Sequence, residues 1–331
     1  MGVYIIAEAG VNHNGRLDLA KELCLAAKEV GADCVKFQTW QTEKIITRSV
    51  AQADYQADNT GRTESQFDML KRLELSYADF RAIKAYCDEI GIQFASTADE
   101  PDSLDFLLTL GIPFIKIGSG EIGNVPYLRY MGSKKKPILL STGMSSLADV
   151  ELSLDALRQG GAEDITLLHC TTNYPCPYGR VNLRAMDTLH SAFGLPVGYS
   201  DHTQGIAIPT AAVARGAVII EKHFTLDRHM GGPDHLASTE PEEFRRMVSA
   251  IRQVEAALGT GCKTPTIEEK GISEVVLKRI VAAHPIAEGS RLRSEDLTVK
   301  RNDRGISARY WDLIVGTTAH RDYMTDEAIE L

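Results

Sequence analysis

Val218-Ile219-Ile220-Glu221-Lys222-His223 is an apolar run that ends in three ionisable residues. Its first part suits a buried strand, and its last part suits a strand end that opens onto a site. Similar short apolar runs occur at 3–7, 34–38, 93–96, 114–117, 138–141, 165–170 and 197–200, which with 218–222 makes eight predicted strands. They read as continuous, not alternating, as expected when helices cover one face and a barrel interior the other. The intervening segments carry helix punctuation. Leu19, Leu23, Ala26, Ala27 and Val30 share a helical face, and Gly31 stands where a helix turns left-handed and stops. Ser146 with Asp149 reads as a capping box, ahead of a stripe of Val150, Leu154 and Leu157. Pro101 opens another helix, with Leu104, Leu107 and Leu108 inside it and Gly111 closing it. Eight strand-then-helix units predict an α/β fold, a (β/α)8 TIM barrel. A doubly wound sheet would want a Gly-rich dinucleotide turn, and no G-x-G-x-x-G is present.

The chain has 331 residues, 44% hydrophobic and 24% charged, with 36 basic against 45 acidic side chains and a net charge of −9. The longest basic run is Lys134-Lys135-Lys136, so neither nucleic acid nor an anionic membrane is an expected partner. No apolar run nears the ~20 residues that span a bilayer. The N-terminus lacks a signal peptide's basic region and cleavage site, so a soluble cytoplasmic protein is expected. Cys24, Cys34, Cys87, Cys170, Cys176 and Cys262 are scattered, without a C-x-x-C pair, which suggests neither a zinc ribbon nor a disulfide scaffold. Residues 39–64 form a long polar connection, of the kind that carries function in barrels. After Leu258 the character changes: Gly259-Thr260-Gly261-Cys262-Lys263-Thr264-Pro265 reads as the start of a linker. The expected division is a barrel over 1–262, a linker over 263–278 and a small domain over 279–331, the last too short to be comfortable alone.

Barrels place their chemistry at the C-terminal ends of their strands. There the sequence sets Glu8, then Lys36 and Gln38, Ser96 and Thr97, then Lys116, Ser119 and Glu121. Ser141 and Thr142 follow, then His169 and Thr171 to Tyr174, Ser200 to His202, and finally Glu221, Lys222 and His223. Lysines inside apolar strands are costly unless paired. Two lysines and a band of hydroxyls at one mouth suit a phosphate or carboxylate. His202 and His223 end consecutive strands and can share a metal, with Glu8 and water completing an oxygen-rich set that favours Mn2+ or Mg2+. Asp234, in Gly231-Gly232-Pro233-Asp234-His235, either binds a substrate hydroxyl or makes an Asx turn. His13 and His235 lie near the mouth without an evident partner. His190, His229, His284 and His320 read as non-catalytic.

At these motifs the chain resembles the N-acetylneuraminate (sialic acid) synthase family, the nonulosonic acid synthases. The matching stretches are IIAEAGVNHNG (5–15), VKFQT (35–39), KIGSGE (116–121), LLSTGM (139–144), LLHCTTNYP (167–175), VGYSDHT (197–203), IIEKHFTLD (219–227) and GPDHLAS (232–238). Residues 280–307 resemble the family's small antifreeze-like (SAF) domain. The resemblance implies condensation of phosphoenolpyruvate with an N-acyl mannosamine-type sugar and water, giving a nine-carbon 2-keto sugar acid and phosphate. It also implies a divalent metal and a domain-swapped homodimer in which each small domain lies over the other subunit's barrel. By the same resemblance Lys36, Gln38, Lys116, Ser119, Ser141, Thr172 and Ser200 would bind phosphoenolpyruvate, and His202 and His223 the metal. Glu8 and Glu221 would be acid/base residues, and Glu121, Tyr174, Asp234 and Arg301 would contact the sugar.

The chain departs from many relatives in three places. Ser96-Thr97-Ala98-Asp99 stands for Ser-Thr-Pro-Phe, Lys300-Arg301-Asn302-Asp303 stands for Lys-Arg-Pro-Gly, and Thr172 stands where some members have asparagine. The acceptor is therefore open between N-acetylmannosamine and a 2,4-diacetamido-2,4,6-trideoxymannose, the legionaminic acid precursor. Two competing readings are a Schiff-base lyase using Lys116 or Lys222, and a non-catalytic sugar-binding protein.

Overall fold

The computed structural model describes residues 2–50 and 64–330. Eight strands close into a parallel barrel in sequence order: β1 (Tyr4–Gly10), β2 (Cys34–Thr39), β3 (Gln93–Ala98), β4 (Ile115–Ile117), β5 (Ile138–Ser141), β6 (Ile165–Cys170), β7 (Val197–Asp201) and β8 (Ile219–His223). The barrel is sealed where β1 meets β8, in register from Tyr4 opposite Ile219 to Glu8 opposite His223. Tyr4 N donates to the Val218 carbonyl at 3.0 Å at one end of this seam, and Phe224 N donates to the Glu8 carbonyl at 2.7 Å at the other.

Alternation along each strand sorts its side chains. Ile5, Val35, Ile115, Leu140, Leu167 and Ile220 face outward into the main core, shared with the surrounding helices. Ile6, Cys34, Ala95, Phe114, Leu139, Leu168 and Ile219 face inward and form an apolar plug across the barrel. β7 contributes Gly198 at this level, because a Cβ there would stand 2.6 Å from Leu168 Cδ2 and 2.7 Å from the Ile219 carbonyl oxygen. Burial on both faces explains why these strands read as unbroken apolar runs.

The helices begin and end where their punctuation places them. Helix Leu17–Glu29 is followed by Gly31 at φ +86°. Ser146 and Asp149 form the reciprocal cap of helix Leu147–Gly160. The Glu100 carboxylate caps helix Pro101–Thr109. Half of the polar connection read at 39–64, residues 51–63, lies outside the described residues; its described part holds one helical turn, Thr42–Ile45. No described helix is long and apolar enough to cross a membrane.

The chain divides into two compact units, Met1–Gly259 and Thr260–Leu331. The second has its own small core, including Ile280, Leu297, Ile314, Tyr323 and Ile329, around antiparallel β9 (Lys278–Ala282) and β10 (Leu297–Arg301). The segment read as a linker holds a helix in the structure. Thr266 and Glu269 cap each other to start helix Ile267–Val276. Ten residues that would reach ~33 Å extended thus cover ~15 Å.

Candidate active site

Two residues above the apolar plug, every strand again points one side chain inward: Glu8, Lys36, Thr97, Lys116, Ser141, Cys170, Ser200 and Glu221. These line a chamber of about 200 Å³. The +2 step from plug to chamber follows from the strand period, so the apolar floor and the polar walls are built by one alternation.

The charges on these walls are buried and held in one lattice. Lys36 Nζ lies 2.6 Å from Glu8 Oε2 and 3.6 Å from Glu221 Oε2, and donates to Thr97 Oγ1 at 3.1 Å. Lys116 Nζ lies 3.4 Å from Glu221 Oε1 and donates to Ser141 Oγ at 2.9 Å. Ser200 Oγ donates to Glu221 Oε1 at 3.0 Å, and Gln38 Nε2 donates to Glu8 Oε1 at 3.3 Å. The environments push the two carboxyls apart. Burial raises Glu8 to about 7 against the pull of Lys36. Burial also acts on Glu221, but Lys116 and Lys36 together outweigh it and hold that carboxyl at about 2. One carboxyl is thus poised to exchange a proton near neutrality, and the other is a fixed negative charge.

Above this level stand Gln38, Asp99, Thr172, His202 and His223. The imidazoles of His202 and His223 are 5.5 Å apart between ring centres, with the Tyr174 ring 4.1 Å from the first and 5.7 Å from the second. His202 Nδ1 faces the Thr171 carbonyl at 2.7 Å, which can only accept, so Nδ1 carries the hydrogen and Nε2 the lone pair. His223 Nδ1 is buried with no hydrogen-bond partner among the described residues. Burial lowers both pKa values, His223 further because His202 is beside it, so both rings present neutral nitrogens. Among the described residues no group of three or more His, Cys, Asp or Glu side chains is gathered to hold an ion. The imidazoles form a pair.

Ser119 lies in a short turn, accepting from Gly143 N at 3.0 Å and standing 3.1 Å from Cys170 Sγ. A Cβ on Gly143 would collide with Thr172 Oγ1 at 2.3 Å and Ser119 Oγ at 2.7 Å. This glycine lets three loops close around the hydroxyls. Asp234 lines an adjoining cavity instead of the chamber. Its loop is tied to the first one, because Asn12 Nδ2 donates to the Phe224 carbonyl and to Ser238 Oγ, both at 2.9 Å. Glu121 does not line the chamber, and its carboxylate accepts from Asn124 at 2.6 Å. Arg301 lies in the second unit, exposed at the end of β10. His13 and His235 do have partners: His13 Nδ1 accepts from Gly15 N at 3.0 Å, and His235 Nδ1 is 2.7 Å from Thr225 Oγ1. Lys222 points out of the barrel, bound to Asp201 and donating to the Thr203 carbonyl at 2.6 Å, so it is no nucleophile for the chamber.

Cys170 and Asp99 were not singled out as site residues from the sequence. Counting two on from Leu168 would have found Cys170. Asp99 is half-buried on the chamber wall, and burial, with Glu121 nearby, raises it from 3.8 to about 7. The folded protein therefore holds this proton more tightly than the unfolded chain, and stability falls as pH rises from about 4 through 7. Asp99→Asn is expected to raise stability at pH 8 by about 1–3 kcal/mol and to change little at pH 4. Thermal unfolding at the two pH values checks this, and an equal effect at both would show that charge burial is not the cause.

A model of the NeuB family matches residues 23–263, and one of the SAF domain matches residues 279–329. The chain is 47% identical to the N,N'-diacetyllegionaminic acid synthase of Legionella pneumophila, over 96% of this chain and 90% of that protein. It is 38% identical to the human N-acetylneuraminate-9-phosphate synthase, over 90% and 82% respectively. Among solved structures it is similar to an N-acetylneuraminic acid synthetase from Leptospira borgpetersenii, with a TM-score of 0.73 and 32% identity over 83% of this chain and 91% of that one.

Proposed function

The chain belongs to the NeuB family, and from that premise we propose that it condenses phosphoenolpyruvate with an N-acylated amino sugar to give a nine-carbon 2-keto acid and phosphate. The observation that carries the reading is the lattice of Lys36 and Lys116 with Ser141 and Ser200, set directly beneath two neutral imidazoles. A trianionic donor needs cations and hydroxyls, and an open-chain aldehyde needs its carbonyl activated alongside. The names of the most similar relatives favour a diacetamido-trideoxy acceptor over N-acetylmannosamine.

In this mechanism the two lysines, Ser119, Ser141, Ser200 and Thr172 hold the phosphate and carboxylate of phosphoenolpyruvate, with Gln38 at the rim. Its enol carbon attacks the aldehyde carbon, forming the C–C bond while the aldehyde oxygen gains a proton. Water adds to the old C2 and loses a proton, and the C–O bond to phosphate then breaks to leave the ketone. Glu8 is the group that gives or takes those protons, since its carboxyl exchanges near pH 7 and abuts Lys36. Glu221 stays ionised and fixes both ammonium groups. Tyr174 and Asp234 contact the sugar, and Glu121, which lines neither cavity and is bonded to Asn124, is left out of that role. His202 and His223 suit a divalent cation, Mn2+ or Mg2+, because each presents an unprotonated ring nitrogen, with water or substrate supplying the remaining ligands. Such an ion, when bound, polarises a carbonyl oxygen and steadies negative charge on it. The Schiff-base alternative loses Lys222 to Asp201, and Lys116 is engaged by Glu221 and Ser141.

The test is phosphate release from phosphoenolpyruvate with and without the sugars. Acceptor-dependent release, with a 2-keto acid formed in equal amount, is the expected result. Release without acceptor, or borohydride trapping of a pyruvate adduct, would overturn the reading.

The same reading makes the enzyme a homodimer in which Arg301 of one subunit reaches the sugar bound in the other. Supporting this, helix Ile267–Val276 of the second unit exposes Ile267, Ile272 and Val275. Mixing Arg301→Ala with His223→Ala subunits is then expected to restore activity that neither variant has alone, about a quarter of the wild-type level if subunits pair at random and one composite site is intact. Heterodimers that form without regaining activity would count against exchange.

A further inference from the structure

β7 and β8 meet in register, with Tyr199 opposite Ile220, Ser200 opposite Glu221 and Asp201 opposite Lys222. The pairs alternate in direction. Ser200 and Glu221 face the chamber and are bonded to each other, whereas Asp201 and Lys222 form an ion pair behind the strands. β7 stops at Asp201, so His202 stands one residue past the last paired position, while His223 still belongs to β8. The ladder therefore leaves the position of His202 relative to His223 open.

Lys222 closes that gap. Its side chain is 1% exposed and holds both residues that flank His202: it is ion-paired with the Asp201 carboxylate and donates to the Thr203 carbonyl at 2.6 Å. Asp201 in turn accepts from Thr203 N at 2.9 Å and from the Tyr199 hydroxyl at 3.1 Å, which makes an Asx turn around His202. Lys222 is also the residue before His223. One side chain thus ties the backbone on either side of the first imidazole to the backbone next to the second. Among the described residues, the remaining hydrogen bonds of His202 run to the loop after β6. Its Nδ1 donates to the Thr171 carbonyl and its own carbonyl accepts from Cys176 N, each at 2.7 Å.

Stability alone gives no reason for this pair. A buried ammonium and carboxylate lose much of their attraction to the cost of leaving water, and two apolar residues of similar size would hold the core as well. Burial keeps Lys222 below its ordinary range even with Asp201 beside it, a sign of that cost. What an apolar pair lacks is direction, since it makes no bond to the Thr203 carbonyl and fixes no spacing between the imidazoles. Histidines that bind metal are commonly oriented by bonds from residues behind them.

We infer, resting on the reading of His202 and His223 as a cation site, that Lys222 and Asp201 are positioning residues for that site. They hold the two rings at 5.5 Å between centres before any ion arrives. Neither lines the chamber, and both act through the imidazoles.

The experiment titrates Mn2+ into the full-length protein by calorimetry, with phosphate release as a second readout. Lys222→Met removes both attachments. The double variant Asp201→Asn, Lys222→Met also removes the stranded charge, and its asparagine oxygen can still accept from Thr203 N and the Tyr199 hydroxyl, so it guards against misfolding of the first. Each variant is expected to bind Mn2+ about 10- to 100-fold more weakly and to lose turnover in limiting Mn2+ to a similar degree. KM for phosphoenolpyruvate, set by Lys36 and Lys116, should stay within about twofold. Unchanged Mn2+ affinity in either folded variant would overturn this inference and leave the cation site standing. A rise in the phosphoenolpyruvate KM as large as the loss of Mn2+ affinity would also overturn it, since the defect would then be general. Wild-type protein that binds no Mn2+ would overturn the cation reading, and this inference with it, whereas the synthase reading stands or falls on acceptor-dependent phosphate release.

Discussion

His223→Ala is expected to lower turnover by on the order of 10³-fold while leaving the fold intact, because several kcal/mol of carbonyl activation are at stake. The ring is buried, yet its Nδ1 has no hydrogen-bond partner among the described residues, so its removal leaves no described group without the partner of that nitrogen. His202→Ala should be equally inactive but less stable by up to about 1 kcal/mol, because the Thr171 carbonyl loses the imidazole donor and keeps Asn173 N, at 2.9 Å. Binding of Mn2+ by titration calorimetry should disappear in both variants, and thermal unfolding should separate them. Near-normal activity of either variant in limiting Mn2+ would show that the pair does not share an ion.

Glu221→Ala has the second large effect, on stability as well as activity. This carboxylate faces Lys116 at 3.4 Å and Lys36 at 3.6 Å and accepts from Ser200 at 3.0 Å, all within the barrel. Among the described residues, removing it leaves Lys116 without an ion-pair partner and Lys36 with Glu8 alone. The expected loss is about 3–5 kcal/mol, together with loss of detectable turnover. The double variant Lys116→Met, Glu221→Leu should recover most of the stability and none of the activity, since an apolar pair can replace a buried ion pair. Denaturant midpoints report the first quantity and phosphate release the second. If the single and double variants were equally unstable, the lattice would matter for packing and not for charge.

The barrel was legible because parallel strands buried on both faces announce themselves as apolar runs, and the runs at 138–141 and 165–170 coincide with β5 and β6. Charged residues at strand ends were harder to resolve. Lys222 and Glu221 are neighbours in sequence, yet strand alternation sends one towards the helices and the other into the chamber. Their difference becomes visible only when each strand is phased from the plug residues below. The helix at Ile267–Val276 had a signal that was passed over, since Thr266 and Glu269 have capping-box spacing. The adjoining cavity that Asp234 lines had none. It joins helix Gln66–Leu73 to the loops after β1 and β8, a contact that depends on the closed barrel and on no local pattern.

The seam between β1 and β8 has a consequence for how activity is acquired as the chain folds. Glu8 and His223 are opposite one another across it, some two hundred residues apart in the chain, and the chamber takes residues from both sides. Contacts of such separation are the slowest to form, because the loop they close is long and must be ordered first. A nascent chain that has not yet exposed Ile219–His223 outside the ribosome holds Lys36 and Lys116 without Glu221 and cannot close its mouth. Recovery of activity in refolding therefore reports the last stitch of the barrel, and helix content regained earlier would be silent about it.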